Sequence, residues 1–407
     1  MKPKIRFRGF SGKWVETSLG KLVNVYDGVH QTPRYTDKGI MFLSVENIST
    51  LKSNKFINEV DFNQFYKIYP EKGDILMTRI GDVGTPNVIE VSDKIAYYVS
   101  LALLKPIAIN PYYLSACIQS PTFQHNLKLR TLTTAIPQKI NKDEIGKVEC
   151  IYSPYKDERQ AIASYFQGLD ALIRSTIKKI ESLKQVKAAS LLSMFPQEGE
   201  TKPRVRFKGF ECDWKKTIVG NLGATYSGIS GKTKDDFGQG DAKFVTFLNV
   251  LTNAKINTST LEPVKVSKGE HQNEVKKGDL LFNTSSETPE EVGMCAVMDD
   301  ELENVYLNSF CFGFRITDKD IDPTFIAYLM RSHIGRRIML ILAQGATRYN
   351  LSKNNFCKTE LLLPESKAEQ AEIGRYFSNL DKQITLQTQR LEKLKQIKSA
   401  CLDNMFV

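Results

Sequence analysis

Two stretches of the chain share one pattern of apolar and polar positions. The first runs from Glu158 through Tyr165-Phe166 and Leu169-Asp170 to Met194-Phe195. The second runs from Glu369 through Tyr376-Phe377 and Leu380-Asp381 to Met405-Phe406. A shift of 211 residues makes 16 of the 38 positions from 158 to 195 identical, too many for two unrelated helices. Each predicts a long helix with a narrow seam. The seam is Leu169, Ile173, Ile180, Leu183 and Val186 in one, and Leu380, Ile384, Leu391, Leu394 and Ile397 in the other. Steps of four, seven, three and three approach a heptad, with Thr176 and Gln387 as polar interruptions. A helix inside a globular core shows a wider stripe, so the expectation is that the two pair with each other. Thirty-eight residues would span ~57 Å at ~1.5 Å per residue.

The remainder is also written twice. Arg6-Phe7-x-Gly9-Phe10-x-x-x-Trp14 returns as Arg206-Phe207-x-Gly209-Phe210-x-x-x-Trp214, within a stretch of nine identities in twenty. The aromatics suit a hydrophobic clasp against each domain. Behind each opening, segments of about 23–153 and 223–363 diverge but keep landmarks. Gly73-Asp74 and Gly278-Asp279 predict tight turns entering buried strands. Asn110-Pro111 and Asp322-Pro323 predict helix starts, a capping side chain followed by proline at the first helical position. The expected fold class is α+β: two similar mixed domains separated by an antiparallel coiled coil of two long helices, in a pseudo-twofold internal repeat. The expected boundaries are 1–153 for the first domain, 154–196 for the first spacer helix, 197–363 for the second domain and 364–407 for the second helix. This arrangement would form a rigid dumbbell.

Charge then narrows the partner. The 407 residues carry a formal net charge of +10, with a pI near 9.0, which favours a polyanion and nucleic acid first. The seven cysteines include no C-x-x-C pair and the four histidines have no metal-ligand spacing, so reduced thiols and no metal are expected. The N-terminal stretch has no apolar signal core, and no apolar run reaches membrane-spanning length; a soluble cytoplasmic protein with no membrane partner is expected.

Three catalytic signatures fail on inspection. Asn110-Pro111-Tyr112-Tyr113 lacks the second proline of an amino-methyltransferase motif. Gly231-Lys232-Thr233 lacks the first P-loop glycine, because position 226 is Tyr226. Glu287, Glu290 and Glu291 have no partner base at a corresponding loop. No catalytic residue is expected.

The candidate readers of DNA lie instead in the divergent loops: His30, Gln31, Thr32, Arg34, Tyr35, Arg79, Lys128 and Arg130 in the first copy. In the second they are Lys232, Thr233, Lys234, Asn283, Arg336, Arg337, Arg348, Tyr349 and Asn350. Such side chains hydrogen-bond base edges or pair with phosphates. A repeated framework with unlike loops would let two similar domains read two different sequences.

With both openings and both Tyr-Phe-x-x-Leu-Asp helices in view, the chain resembles the specificity subunit of type I restriction-modification systems over essentially its full length. The resemblance implies two target-recognition domains, each binding one half of a bipartite, asymmetric double-stranded DNA site. It also implies a coiled coil that sets the spacer and docks two methylation subunits, with restriction subunits completing the endonuclease. It implies no active site and no cofactor in this chain; S-adenosylmethionine would belong to the methylation subunits, ATP and Mg to the restriction subunits. Half-sites read from one face lie about 34 Å apart, and Leu169 to Lys187 would span ~28 Å. Two other readings have different signatures. A self-sufficient methyltransferase or nuclease with a degenerate site would bind S-adenosylmethionine alone. A protein-scaffolding dumbbell would show no salt-dependent DNA affinity.

Overall fold

The computed structural model describes residues 2–406. The chain divides into two compact units, residues 1–178 with 389–407, and residues 179–388. The architecture is α+β, and the two units repeat one topology.

In the first unit a four-stranded antiparallel sheet has the order Val23–Asp27, Leu101–Pro106, Ile75–Thr78, Pro86–Val88. A three-stranded sheet sets Ile40–Leu43 between Phe56–Ile57 and Ile95–Tyr97, parallel to the latter. In the second unit the four strands are Gly223–Ser227, Cys311–Ile316, Leu280–Asn283 and Cys295–Val297. Its three-stranded sheet sets Phe237–Val245 between Glu262–Val264 and Val305–Leu307, again parallel to the latter. The Gly-Asp turns enter Ile75–Thr78 and Leu280–Asn283. Their carboxylates lock that entry. Asp74 accepts from Glu71 N at 2.8 Å and from Lys105 Nζ at 2.6 Å. Asp279 accepts from Lys276 N at 2.8 Å and from the Arg315 guanidinium at 2.9 and 2.7 Å. The predicted caps are present too: Asn110 accepts from Tyr112 N and Tyr113 N, and Asp322 from Phe325 N.

Each opening segment clasps its own unit by polar as well as apolar contacts. Arg6 donates to both oxygens of the buried Glu158 (2.5 and 2.8 Å), and Arg206 to both of Glu369 (2.7 and 2.8 Å). Phe7 meets Tyr165 edge-on at 6.1 Å between ring centroids, as Phe207 meets Tyr376 at 6.1 Å. The tryptophans pack on helix ends from the other half of the sequence: Trp14 on Phe406 at 5.8 Å, Trp214 on Phe195 at 6.2 Å. Each Met-Phe ending thus fills a core. Ile5 N donates to Asn404 O at 2.9 Å and Val205 N to Ser193 O at 3.0 Å, the same junction made once across the termini and once within the chain.

The long helices are Lys156–Ser193 and Lys367–Met405. Within the first unit Tyr165 Oη lies 3.3 Å from Cys401 Sγ, and Lys398 pairs with Asp170 at 2.7 Å. Within the second unit Ser190 meets Tyr376 Oη at 2.9 Å, and Lys187 pairs with Asp381. In both, the later residue of one helix meets the earlier residue of the other, so the pairing is antiparallel. The seam departs from the expected one at the last position on each helix and at its polar steps. The least exposed positions fall at Leu169, Ile173, Thr176, Ile180, Leu183, Lys187, Ser190 and Met194. On the other helix they fall at Leu380, Ile384, Gln387, Leu391, Leu394, Lys398, Cys401 and Met405. Steps of four and three alternate without a break. Thr176, expected as an interruption, is only 4% exposed, while Val186 and Ile397 are exposed at 43% and 39%. After the three-residue step to Leu183, another step of three would lag behind a 3.6-residue turn, so the seam falls on Lys187 rather than Val186. Lysine is tolerated there because its stem covers apolar surface while its ammonium reaches out: Lys187 Nζ sits 5.8 Å from the Tyr328 ring centroid and pairs with Asp381.

Candidate nucleic-acid interface

In the first unit Val23–Asp27 and Ile75–Thr78 both run antiparallel to Leu101–Pro106, which lies between them. Both therefore finish at the same end of the sheet, and the loops that follow, 28–36 and 79–85, emerge together. Gly28 makes this possible: a Cβ there would stand 2.4 Å from the Tyr98 carbonyl. A third loop, 131–139, joins them through Gly81 N to Gln138 O (2.9 Å), Gln138 Nε2 to Gly81 O (2.9 Å) and Ile140 N to Arg79 O (3.0 Å).

The structure corrects one expected reader here. Arg79 is 6% exposed and pairs with Asp27, tying the ends of the two strands together. Burial pushes its pKa down, and its Nε has no partner among the described residues. Arg79 organises the loops from beneath. His30, Gln31, Thr32, Arg34 and Tyr35 are exposed above it, with Tyr35 edge-on to Phe42 at 5.5 Å. Lys128 is exposed on helix Pro121–Leu129, and the half-exposed Arg130 pairs with Glu144 at 3.1 Å.

The second unit presents the same sheet end with different contents. Gly228 fills the role of Gly28; its Cβ would meet Asn308 O at 2.1 Å. Lys232 is not a free cation: its side chain is 7% exposed and pairs with Glu270 at 2.6 Å. Glu270 is held down at a pKa of about 2, chiefly by that hydrogen bond from Lys232, with Gln272 and Ser267 N adding to it. Thr233 caps a short turn with Asp236, and Lys234 is exposed. Asn283 is fully buried, with Nδ2 unpartnered among the described residues, so it does not face a ligand as expected. Arg336 donates to Glu290 O at 2.9 Å and Val292 O at 2.6 Å; burial lowers it to about 10. Arg337 is exposed but pairs with Glu198.

The remaining three expected residues share one hairpin. Ala343–Gln344 and Tyr349–Leu351 pair, and Ser285–Ser286 adds to the latter. This is the structured counterpart of loop 131–139. Arg348 on its tip donates through Nε to Ser285 Oγ at 3.0 Å, with its guanidinium carbon 5.7 Å from the exposed Phe310 ring centroid. Asn350 is exposed and Tyr349 half-buried. Reasoning from residue type missed Gln138 and Phe310, whose places depend on pairing between distant loops.

Among the described residues no group of three His, Cys, Asp or Glu could hold a metal, and no helix is long and apolar enough to cross a membrane. What the two units share is a sheet end that displays amide, hydroxyl, aromatic and guanidinium groups.

Residues 214–396 match the family described as Type I restriction modification DNA specificity domain. The specificity subunit of the type I restriction enzyme StySPI from Salmonella potsdam is 25% identical over 186 residues, 45% of this chain and 40% of that protein. The match therefore spans about two fifths of that relative's length. The S subunit of the M. genitalium type I restriction-modification system shares the fold at a TM-score of 0.66 and 14% identity, over 100% of this chain and 99% of that one. A chain from a structural study of complex assembly and conformational transition in a type I system aligns at a TM-score of 0.52 and 12% identity, over 97% and 98%. By domain match, residues 214–396 form a type I DNA specificity domain. The family match falls on the second repeat and its long helix, and the likeness in fold extends over the whole chain.

Proposed function

We propose that this chain is the non-catalytic reading subunit of a type I restriction-modification complex, each unit binding one half of a bipartite, asymmetric duplex target. The observation that carries this is the repeated sheet end with unlike loops: Arg34 and an uncharged loop 131–138 in one unit, Arg348 on Phe310 in the other. One framework with two surfaces accounts for two unlike half-sites. The paired helices between residues 156–193 and 367–405 set the unread gap and offer their outer faces to two methylation subunits. Those subunits supply S-adenosylmethionine chemistry, and restriction subunits supply ATP- and Mg-dependent cleavage. Residues 1–153 and 197–363 are the two reading domains, and 154–196 and 364–407 the spacers.

The test is to express the full chain with partner methylation subunits and map modified adenines in host DNA. A split motif with a constant gap is expected, and replacing residues 23–153 with those of another family member changes one half only. Modification that is absent, or unaltered by the replacement, overturns the reading.

A further inference from the structure

The most exposed large apolar side chain among those described is Ile136, at 101% of its reference surface. Leu132, at 45%, lies in the same loop, and Leu129, at 73%, just before it. A single exposed isoleucine is ordinary on a protein surface. This one stands on a loop fixed at its base. Leu132 N donates to Lys139 O at 2.8 Å, and Gly81 and Gln138 bond reciprocally at 2.9 and 2.9 Å. The loop therefore holds an apolar group out into solvent at the reading end of the first unit, at a hydration cost that nothing within the unit offsets.

Its composition says what it meets. From Thr131 to Gln138 the loop carries no charge, while the exposed Lys139 follows it and Lys128 lies one helical turn before its start; Arg130, between Lys128 and the loop, is paired with Glu144. Cations at the rim suit phosphates, and an uncharged tip cannot pair with a phosphate. On the major-groove edge of DNA the one apolar group is the C5-methyl of thymine. Resting on the DNA-reading function above, we propose that Ile136 is a specificity-determining residue that packs against a thymine methyl in the half-site bound by the first unit. The second unit places Arg348, a guanine-type reader, on the corresponding loop, so the two half-sites differ in the chemistry read there.

The test is a selection from a pool of duplexes with randomised sequence, using the full chain with methylation subunits, wild type and Ile136→Ala. In the wild type the first-unit half contains a required T·A pair. In Ile136→Ala the preference at that pair relaxes while every other position is retained. Replacing that thymine by deoxyuridine weakens wild-type binding about fourfold, the equivalent of ~0.8 kcal/mol for one buried methyl-sized group. The same replacement leaves Ile136→Ala binding unchanged. Identical motifs for the two proteins, a half-site without T·A, or a deoxyuridine effect that persists in the variant each overturn the proposal while leaving the split-motif reading intact. Loss of subunit assembly in Ile136→Ala with an unchanged motif also overturns it, reassigning the loop to a protein contact. If the wild type selects no motif at all, both readings fall.

Discussion

The two units are alike where they are buried and unlike where they are exposed. Their sheets share strand order and their openings clasp helices through the same bidentate pair, Arg6–Glu158 and Arg206–Glu369. Even the substitutions in the framework keep its chemistry, as with Lys105 on Asp74 against Arg315 on Asp279. The loops at the sheet ends follow a different rule. Loop 28–36 leaves His30, Gln31 and Arg34 exposed, whereas the corresponding loop of the second unit is tied to segment 270–272 through Lys232–Glu270 and Ser230–Gln272. Loop 131–139 is held by isolated bridges, its counterpart by a three-stranded sheet. Packing constrains the buried framework twice in the same way; the exposed ends are free to diverge because no internal neighbour depends on them.

The largest effect belongs to the shared clasp. Glu158→Ala or Glu369→Ala leaves a partly buried guanidinium without its carboxylate, and each is expected to destabilise its own unit by about 3 kcal/mol, the low end for breaking a buried pair. Chemical denaturation with hydrogen exchange resolved by unit measures this. Equal, local losses uphold the equivalence of the two clasps, and a loss in one unit only breaks it.

A smaller effect separates the exposed ends. Arg348→Ala removes a guanidinium held by Ser285 and stacked on Phe310. Discrimination at one base of the second half-site should fall by about 1–3 kcal/mol, with the first half unchanged. Competition binding against single-base variants of the mapped target provides the measurement.

The smallest effect concerns pH. Glu270 titrates at about 2 in the folded chain, below its ordinary 4.5. Its contribution to holding loop 228–236 is therefore complete above pH 4.5 and is lost as pH falls toward 2. Acidification should lower the protection of the Ser267 and Ser230 amides relative to their unfolded exchange rates at the same pH, since their N–H groups donate to Glu270 and Gln272. Glu270→Gln should show the lowered protection already at neutral pH. Equal acid sensitivity in loop 28–36 would erase the contrast between the units.

Sequence alone determined the duplication, the two long helices, the Gly-Asp turns and the capped helix starts, because periodicity and turn chemistry are local properties. Residue type also picked out Arg348 and loop 30–35, which the fold leaves exposed. Only the tertiary structure decided which polar side chains face outward. Arg79, Lys232 and Asn283 have the chemistry of base readers, yet the fold buries the first beneath three loops, pairs the second with Glu270 and encloses the third in a strand. The seam shows the same limit: apolar character pointed to Val186 and Ile397, but helical geometry gave their places to Lys187 and Lys398. Residue type sets what a side chain can do. Exposure depends on neighbours distant in sequence, and those exist only once the chain has folded.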